Sequence, residues 1–163
     1  MIINFYNSLS RKKEEFKPIK KGCVGLYTCG PTVYDYPHIG NFVSYIYWDI
    51  LKRFLLSQKY KVKHVMNITD VGHLTSDADS GEDKMEKAKK REGKTAWEVA
   101  DYYISIFEQD AKQLNILAPT KTLRATKTIK EQIEFVKLLE QKGFLYKTTD
   151  GLYFDTSNMT DYG

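Results

Sequence analysis

The alternation of apolar and polar positions marks a first clear strand at Cys23-Val24-Gly25-Leu26-Tyr27-Thr28-Cys29, largely apolar and β-prone, closed by Gly30-Pro31, a pair that cannot continue a ladder. A loop through Thr32-Val33-Tyr34-Asp35-Tyr36-Pro37 follows. From Ile39 to about Gln58, residues Val43, Ile46, Tyr47, Ile50, Leu51, Phe54 and Leu55 recur at spacings of three and four, which predicts an amphipathic helix. The segment from Tyr60 to Ile68 is short and β-branched, with lysines alternating at its start, and predicts a second strand. Strand, helix and strand form a βαβ unit with parallel pairing. Its geometry gathers the end of the first strand, loop 30–38 and the helix amino terminus at one sheet edge, where open α/β sheets bind ligands.

Beyond Asp70 the character changes. The run Ser76 to Asp83 is acidic, and Lys84 to Lys94 carries six basic residues against Glu86 and Glu92, a pattern that predicts an exposed loop and a solvated helix. Asp77, Asp79 and Gly81 put the glycine one place early for an EF-hand, and Ala88 stands where its glutamate belongs, so the calcium reading is set aside. Thr95 to Glu98 has the capping-box pattern and opens a helix with the stripe Val99, Tyr102, Tyr103, Ile106, Phe107 and Leu114, stopped by Pro119. A second box, Thr128 to Glu131, opens a helix with Ile129, Ile133, Val136 and Leu139 in register, ending at a left-handed Gly143. Finally, Phe144–Lys147 and Leu152–Phe154 flank Asp150-Gly151, which predicts a tight hairpin with positive backbone angles.

Composition narrows the function classes. With 42% apolar and 13% aromatic residues in 163, the chain buries a core and is neither disordered nor fibrous. No apolar run is long enough for a bilayer, and Met1 to Tyr6 leads into charge rather than a signal-peptide core. Two cysteines, Cys23 and Cys29, cannot supply a secreted disulfide framework and fit a reducing, cytoplasmic setting. A formal charge of +4 permits contact with a polyanion without requiring it.

The chemistry concentrates in Tyr27 to Asn41, followed after the helix by Asn67-Ile68-Thr69-Asp70. Unpaired N–H groups at a helix start attract phosphate, Gly40 allows a close approach, and His38 adds a donor beside them. Taken singly, His38 reads as well as a capping residue, Cys29 as a small residue ending a buried strand, Gly30 as a turn and Thr69 as a strand-end cap.

The string as a whole resembles the class I aminoacyl-tRNA synthetases: His38-Ile39-Gly40 matches their His-Ile-Gly-His signature, and Cys29-Gly30-Pro31-Thr32-Val33-Tyr34-Asp35 is similar to the cysteinyl-tRNA synthetase family. The resemblance extends through Phe5 to Arg11, Lys13 to Pro18, Asn67 to Asp70, Leu114 to Leu117 and Arg124 to Thr126. It implies an α/β fold in which residues 1–118 begin a Rossmann-like catalytic domain and 119–163 begin an inserted α+β connective module. It also implies activation of L-cysteine with ATP to cysteinyl-adenylate, then transfer to the 3′ end of tRNA(Cys), with Mg2+ accompanying the ATP.

Carried over residue by residue, the resemblance makes His38, Gly40 and Asn41 nucleotide-binding, with His38 and Asn41 catalytic through transition-state stabilisation. Asn41 stands in place of the signature's second histidine, an amide that donates to phosphate oxygen without carrying charge. Gly30, Thr32 and Thr69 line the cysteine pocket. Cys29 is one ligand of a zinc ion that holds the substrate thiolate, which separates cysteine from serine. One cysteine does not hold zinc, so the other ligands, like the second signature Lys-Met-Ser-Lys-Ser, are expected beyond Gly163, and negligible aminoacylation is expected of the 163 residues alone. The full-length enzyme is expected to be monomeric, cytoplasmic and without membrane contact. Two alternatives share the same early motifs: the ligase that joins cysteine to an amino sugar in mycothiol synthesis, and a nucleotide- or RNA-binding module without catalysis.

Overall fold

The computed structural model describes residues 2–71, 93–159 and 162, so the predicted acidic loop 76–83 and all but the end of the basic segment 84–94 lie outside the described residues. The strand predicted at 23–29 is β3 (Cys23–Thr28), preceded by β1 (Asn4–Asn7) and β2 (Lys12–Glu15). Helix α1 (Ile39–Ser57) and strand β4 (Lys61–Ile68) follow. Then come α2 (Ala96–Gln113), β5 (Lys121–Arg124), α3 (Ile129–Gln141), β6 (Leu145–Lys147) and β7 (Leu152–Phe154). They fall into two compact units, Met1–Leu123 and Arg124–Gly163.

In the first unit, β3 and β4 pair in parallel from Cys23↔Lys61 to Thr28↔Met66, and α1 connects them and packs on both. Strand β5 lies on the far side of β4 in the order β3-β4-β5. Alternation along β4 sends His64, Met66 and Ile68 inward and leaves Lys61 and Lys63 exposed. A pleat with one apolar face buries only that face, and the two helices supply the cover.

Two apolar clusters form the core. Val33, Ile68, Val99, Ala100 and Tyr103 pack together, as do Phe42, Tyr45, Met66 and Phe107. Phe42 and Phe107 stack at 5.6 Å, and Tyr45 meets Phe107 edge-on at 4.9 Å, aromatic pairs that add about 0.5–1.5 kcal/mol each beyond area burial.

The face that α1 buries differs from the predicted one. Phe42, Tyr45, Lys52 and Leu55 are buried, whereas Val43, Ile46, Tyr47, Ile50 and Phe54 are exposed. Apolar residues occur almost all round this helix, so period alone cannot choose its inner face; the aromatic contacts with α2 choose it. Lys52 is accommodated because its Nζ donates to the Ala118 carbonyl at 2.6 Å.

The Thr95 capping box forms as predicted, Glu98 N–H donating to Thr95 Oγ1 at 3.3 Å and Thr95 N–H to Glu98 Oε2 at 2.8 Å. Pro119 does not stop α2. The helix ends at Gln113, where Asn115 turns left-handed at φ 55 and Asp49 Oδ1 takes the Leu117 N–H at 2.8 Å.

The hairpin β1–β2, paired antiparallel from Asn4↔Glu15 to Asn7↔Lys12, escapes the hydrophobic pattern because β2 is Lys-Lys-Glu-Glu with every position exposed. Edge contacts Phe5–Phe16 (5.3 Å) and Phe16–Tyr60 (6.0 Å) hold it instead. Strand β5, four residues with two exposed, is missed for the same reason.

In the second unit, α3 begins at Thr128, but the expected capping box is absent: the Thr128 hydroxyl donates to the Ala125 carbonyl at 3.1 Å and accepts from Gln132 Nε2 at 2.9 Å. Gly143 is left-handed at φ 75, as predicted. Strands β6 and β7 pair from Leu145↔Phe154 to Lys147↔Leu152. Their connection is not the two-residue turn expected of Asp150-Gly151, since Thr148 N–H reaches the Gly151 carbonyl at 2.9 Å and neither Asp150 nor Gly151 has positive φ. Asp150 is used as an acceptor for Thr148 Oγ1 (2.6 Å) and Tyr153 Oη (2.9 Å).

Candidate active site

Where β3 ends, backbone hydrogen bonds keep the chain attached to the end of β4. Thr69 N–H donates to the Pro31 carbonyl at 3.0 Å and Val33 N–H to the Thr69 carbonyl at 3.2 Å, a parallel bridge between Thr32 and Thr69. The Val33 side chain is 1% exposed and anchors loop 30–38 in the core cluster with Ile68 and Val99. The loop is thereby a fixed wall rather than a free connection.

Gly30 is required by contact. A β-carbon at this position would stand 1.7 Å from the Asn67 carbonyl oxygen, so no other residue lets β3 and β4 approach in this way. The Asn67 side chain completes the joint: its Oδ1 accepts the Gly30 N–H at 3.1 Å and the Tyr27 hydroxyl at 3.0 Å, and its Nδ2 donates to Thr69 Oγ1 at 3.4 Å.

At the helix entry His38 occupies the N-cap position with extended backbone, φ −113 and ψ 170. Its N–H donates to Asn41 Oδ1 at 2.9 Å, and its carbonyl receives the N–H groups of Asn41 (2.9 Å) and Phe42 (3.3 Å). Asn41 thus spends its oxygen on closing the first turn and keeps Nδ2 as a donor. Gly40 lies under the His38 ring, where an added β-carbon would meet Cε1 at 3.0 Å and Nδ1 at 3.1 Å. The glycine therefore makes room for an imidazole.

Between these two structures lies a cleft of about 370 Å³. Gly30, Thr32, His38 and Asn41 line it, with Tyr45 and Tyr103 from the helices. Thr69 is not among the residues that line the cleft; its backbone is bridged to that of Thr32, one of the lining residues. Cys29 is exposed at the end of β3, beside the cleft, and Cys23 is half-buried. The exposure of Cys29 removes the alternative that it ends the strand as a buried packing residue.

Tyr45, Asn67 and Val33 were not singled out by sequence. Burial, and secondarily an electrostatic contribution from the Cys29 side chain, push the Tyr45 phenol up to about 12, so it stays neutral and able to donate. Asn67 carried a sequence signal in the segment Asn67-Ile68-Thr69-Asp70, but residue type does not reveal which lone pairs are used.

The donor set does not complete a metal site. Zinc is held by three or four nitrogen, sulfur or carboxylate donors, and among the described residues no three His, Cys, Asp or Glu side chains converge for it. Cys29 offers one sulfur. Among the described residues no helix is long and apolar enough to cross a membrane.

The profile of a family described as tRNA synthetases class I (C) catalytic domain matches residues 15–163. The chain is 53% identical over 163 residues to cysteine–tRNA ligase 1 of Burkholderia lata, covering 100% of this chain and 35% of that protein. It is 51% identical over 159 residues to the cysteine–tRNA ligase of Zymomonas mobilis (98% and 31%), and 49% over 163 residues to that of Treponema denticola (100% and 33%). The chain spans about a third of the length of these curated relatives.

Proposed function

Because the chain belongs to the class I (C) tRNA synthetase catalytic-domain family, we propose that it carries the ATP- and cysteine-handling portion of a cysteine–tRNA ligase. The observation that supports this best is the single cleft bounded at one end by the His38–Asn41 helix start and at the other by Gly30 and Thr32.

In this reaction a carboxylate oxygen of L-cysteine attacks the α-phosphorus of ATP, the bond to the β-phosphate bridging oxygen breaks, and pyrophosphate leaves with the bond electrons. Charge builds on the phosphate oxygens in the transition state. N–H groups at the start of α1, the His38 imidazole and the Asn41 Nδ2 are donors in place to meet that charge without reorganisation. Gly30 and Thr32 form the wall against which the amino acid lies, and Thr69, bridged to Thr32, is assigned to the same pocket. The acyl group then passes to a ribose hydroxyl of the terminal adenosine of tRNA(Cys), and AMP is released.

Mg2+ accompanies ATP as its counter-ion. Cys29 is assigned as one sulfur donor towards zinc. Residues 1–118 are assigned to the catalytic domain and 119–163 to the start of its insertion, in a monomeric cytoplasmic enzyme.

The test is acceptor choice. An enzyme of the relatives' length carrying this chain is given ATP and radiolabelled cysteine with either tRNA(Cys) or an amino-sugar inositol. Label on tRNA is the expected result; label only on the sugar would overturn the assignment.

A further inference from the structure

We propose that Asn67 is the positioning residue of the amino-acid pocket, and that its amide fixes the direction in which the Thr69 hydroxyl offers its proton. This rests on the cysteine-pocket assignment made above.

Gly30, which lines the cleft, and Tyr27 and Thr69 beside it meet on one side chain. Asn67 Oδ1 takes protons from Gly30 N–H (3.1 Å) and Tyr27 Oη (3.0 Å), which uses both its lone pairs. Asn67 Nδ2 donates to Thr69 Oγ1 at 3.4 Å. Because a β-carbon at residue 30 would fall 1.7 Å from the Asn67 carbonyl oxygen, Gly30 and Asn67 cannot shift independently.

The backbone of Thr69 has no donor left to offer, since its N–H is bound to the Pro31 carbonyl, and its carbonyl already accepts from Val33. Its hydroxyl is the remaining donor. An oxygen that accepts from Asn67 keeps its own O–H for another acceptor, and the acceptor that the pocket receives is a carboxylate oxygen of the amino acid. Asparagine is the residue type that sets this polarity. Aspartate has the same shape and accepts from Gly30 and Tyr27 equally well, but it donates nothing. Against a carboxylate the Thr69 O–H turns inward and becomes the donor, and the pocket loses it.

Asn67→Asp therefore separates shape from polarity. In an enzyme of the relatives' length, cysteine-dependent ATP–pyrophosphate exchange by Asn67→Asp is expected to show KM for cysteine raised about tenfold, with kcat and KM for ATP within about twofold of the parent. In a Thr69→Val background the same change is expected to add little, because the hydroxyl it reorients is gone. Unchanged KM for cysteine, a loss confined to kcat, or losses that simply add would each overturn the proposal.

A second measurement is independent of activity. Hydrogen exchange at the Gly30 amide is expected to stay slow in Asn67→Asp and to become fast in Asn67→Ala. Full protection in Asn67→Ala would refute the joint. If the parent enzyme shows no cysteine-dependent exchange at all, the functional assignment fails, while the Gly30 amide still decides the role of Asn67.

Discussion

The imidazole of His38 rests over the α-carbon of Gly40, so close that a methyl group on residue 40 would stand 3.0 Å from Cε1 and 3.1 Å from Nδ1. The two residues are one unit, a ring and the space that it occupies. Gly40→Ala in an enzyme of the relatives' length gains up to about 1 kcal/mol of helix propensity and displaces the ring. The expected outcome is a melting temperature equal to or above the parent with pyrophosphate exchange reduced about tenfold, a contrast that only a misplaced donor produces. Parent-level exchange in Gly40→Ala would show that the ring position is irrelevant.

Gly30→Ala acts differently, because its new methyl group meets backbone at 1.7 Å rather than a side chain that can turn. Either β3 or β4 must move, which costs about 2 kcal/mol or more, in the range of severe overpacking. Thermal unfolding is expected to fall by several degrees, and Gly30→Ser to behave as badly. A variant with the parent's melting temperature would mean that the close approach is not part of the folded state.

His64 gives the fold a pH dependence of known sign. It is 3% exposed, its Nε2 pairs with Thr28 Oγ1 at 2.9 Å, and its Nδ1 has no hydrogen-bond partner. Burial, and then the charge of Lys52, lower its pKa from the ordinary 6.5. The unfolded chain therefore binds a proton at a pH where the folded one does not. Stability is full above the unfolded value and falls as pH drops below it towards the folded value. Melting temperature against pH should decline below about 6.5, and His64→Gln should flatten that part of the curve. An unchanged slope in His64→Gln would assign it to other groups.

Lys52 is buried on the inner face of α1, and its ammonium is bound to the Ala118 carbonyl at 2.6 Å. Burial lowers its pKa, with Asp49 acting in the opposite direction. Lys52→Ala removes the stem and leaves that carbonyl unpaired, at a cost of about 1–3 kcal/mol by chemical denaturation. Loss of hydrogen-exchange protection should be concentrated at 115–118, the segment also tied to α1 by the Asp49–Leu117 hydrogen bond. A uniform loss across the fold would instead point to general packing.

The βαβ frame was legible because β3, α1 and β4 each carry a pattern stronger than its surroundings, and the Thr95 box because capping is a local code. The inner face of α1 was not, since a helix apolar nearly all round is oriented by its partner; Phe42, Tyr45 and Phe107 chose it. Strand β2 was hidden for a related reason, its stability coming from Phe5 and Phe16 rather than from alternation. At the site, His38, Gly40, Asn41, Gly30 and Thr32 were picked out by the resemblance of their string to the family's motifs. Asn67 and Tyr45 were not, because their importance lies in which groups they face, Asn67 across the sheet and Tyr45 between the helices, which no single stretch of sequence encodes.

The most direct test is amino-acid-dependent ATP–pyrophosphate exchange by an enzyme of the relatives' length, comparing the parent with His38→Ala. The parent should exchange with cysteine and not with serine, and His38→Ala should lose about a hundredfold in kcat with KM for cysteine little changed. Exchange that is independent of cysteine, or a His38→Ala variant that turns over like the parent, would contradict the account.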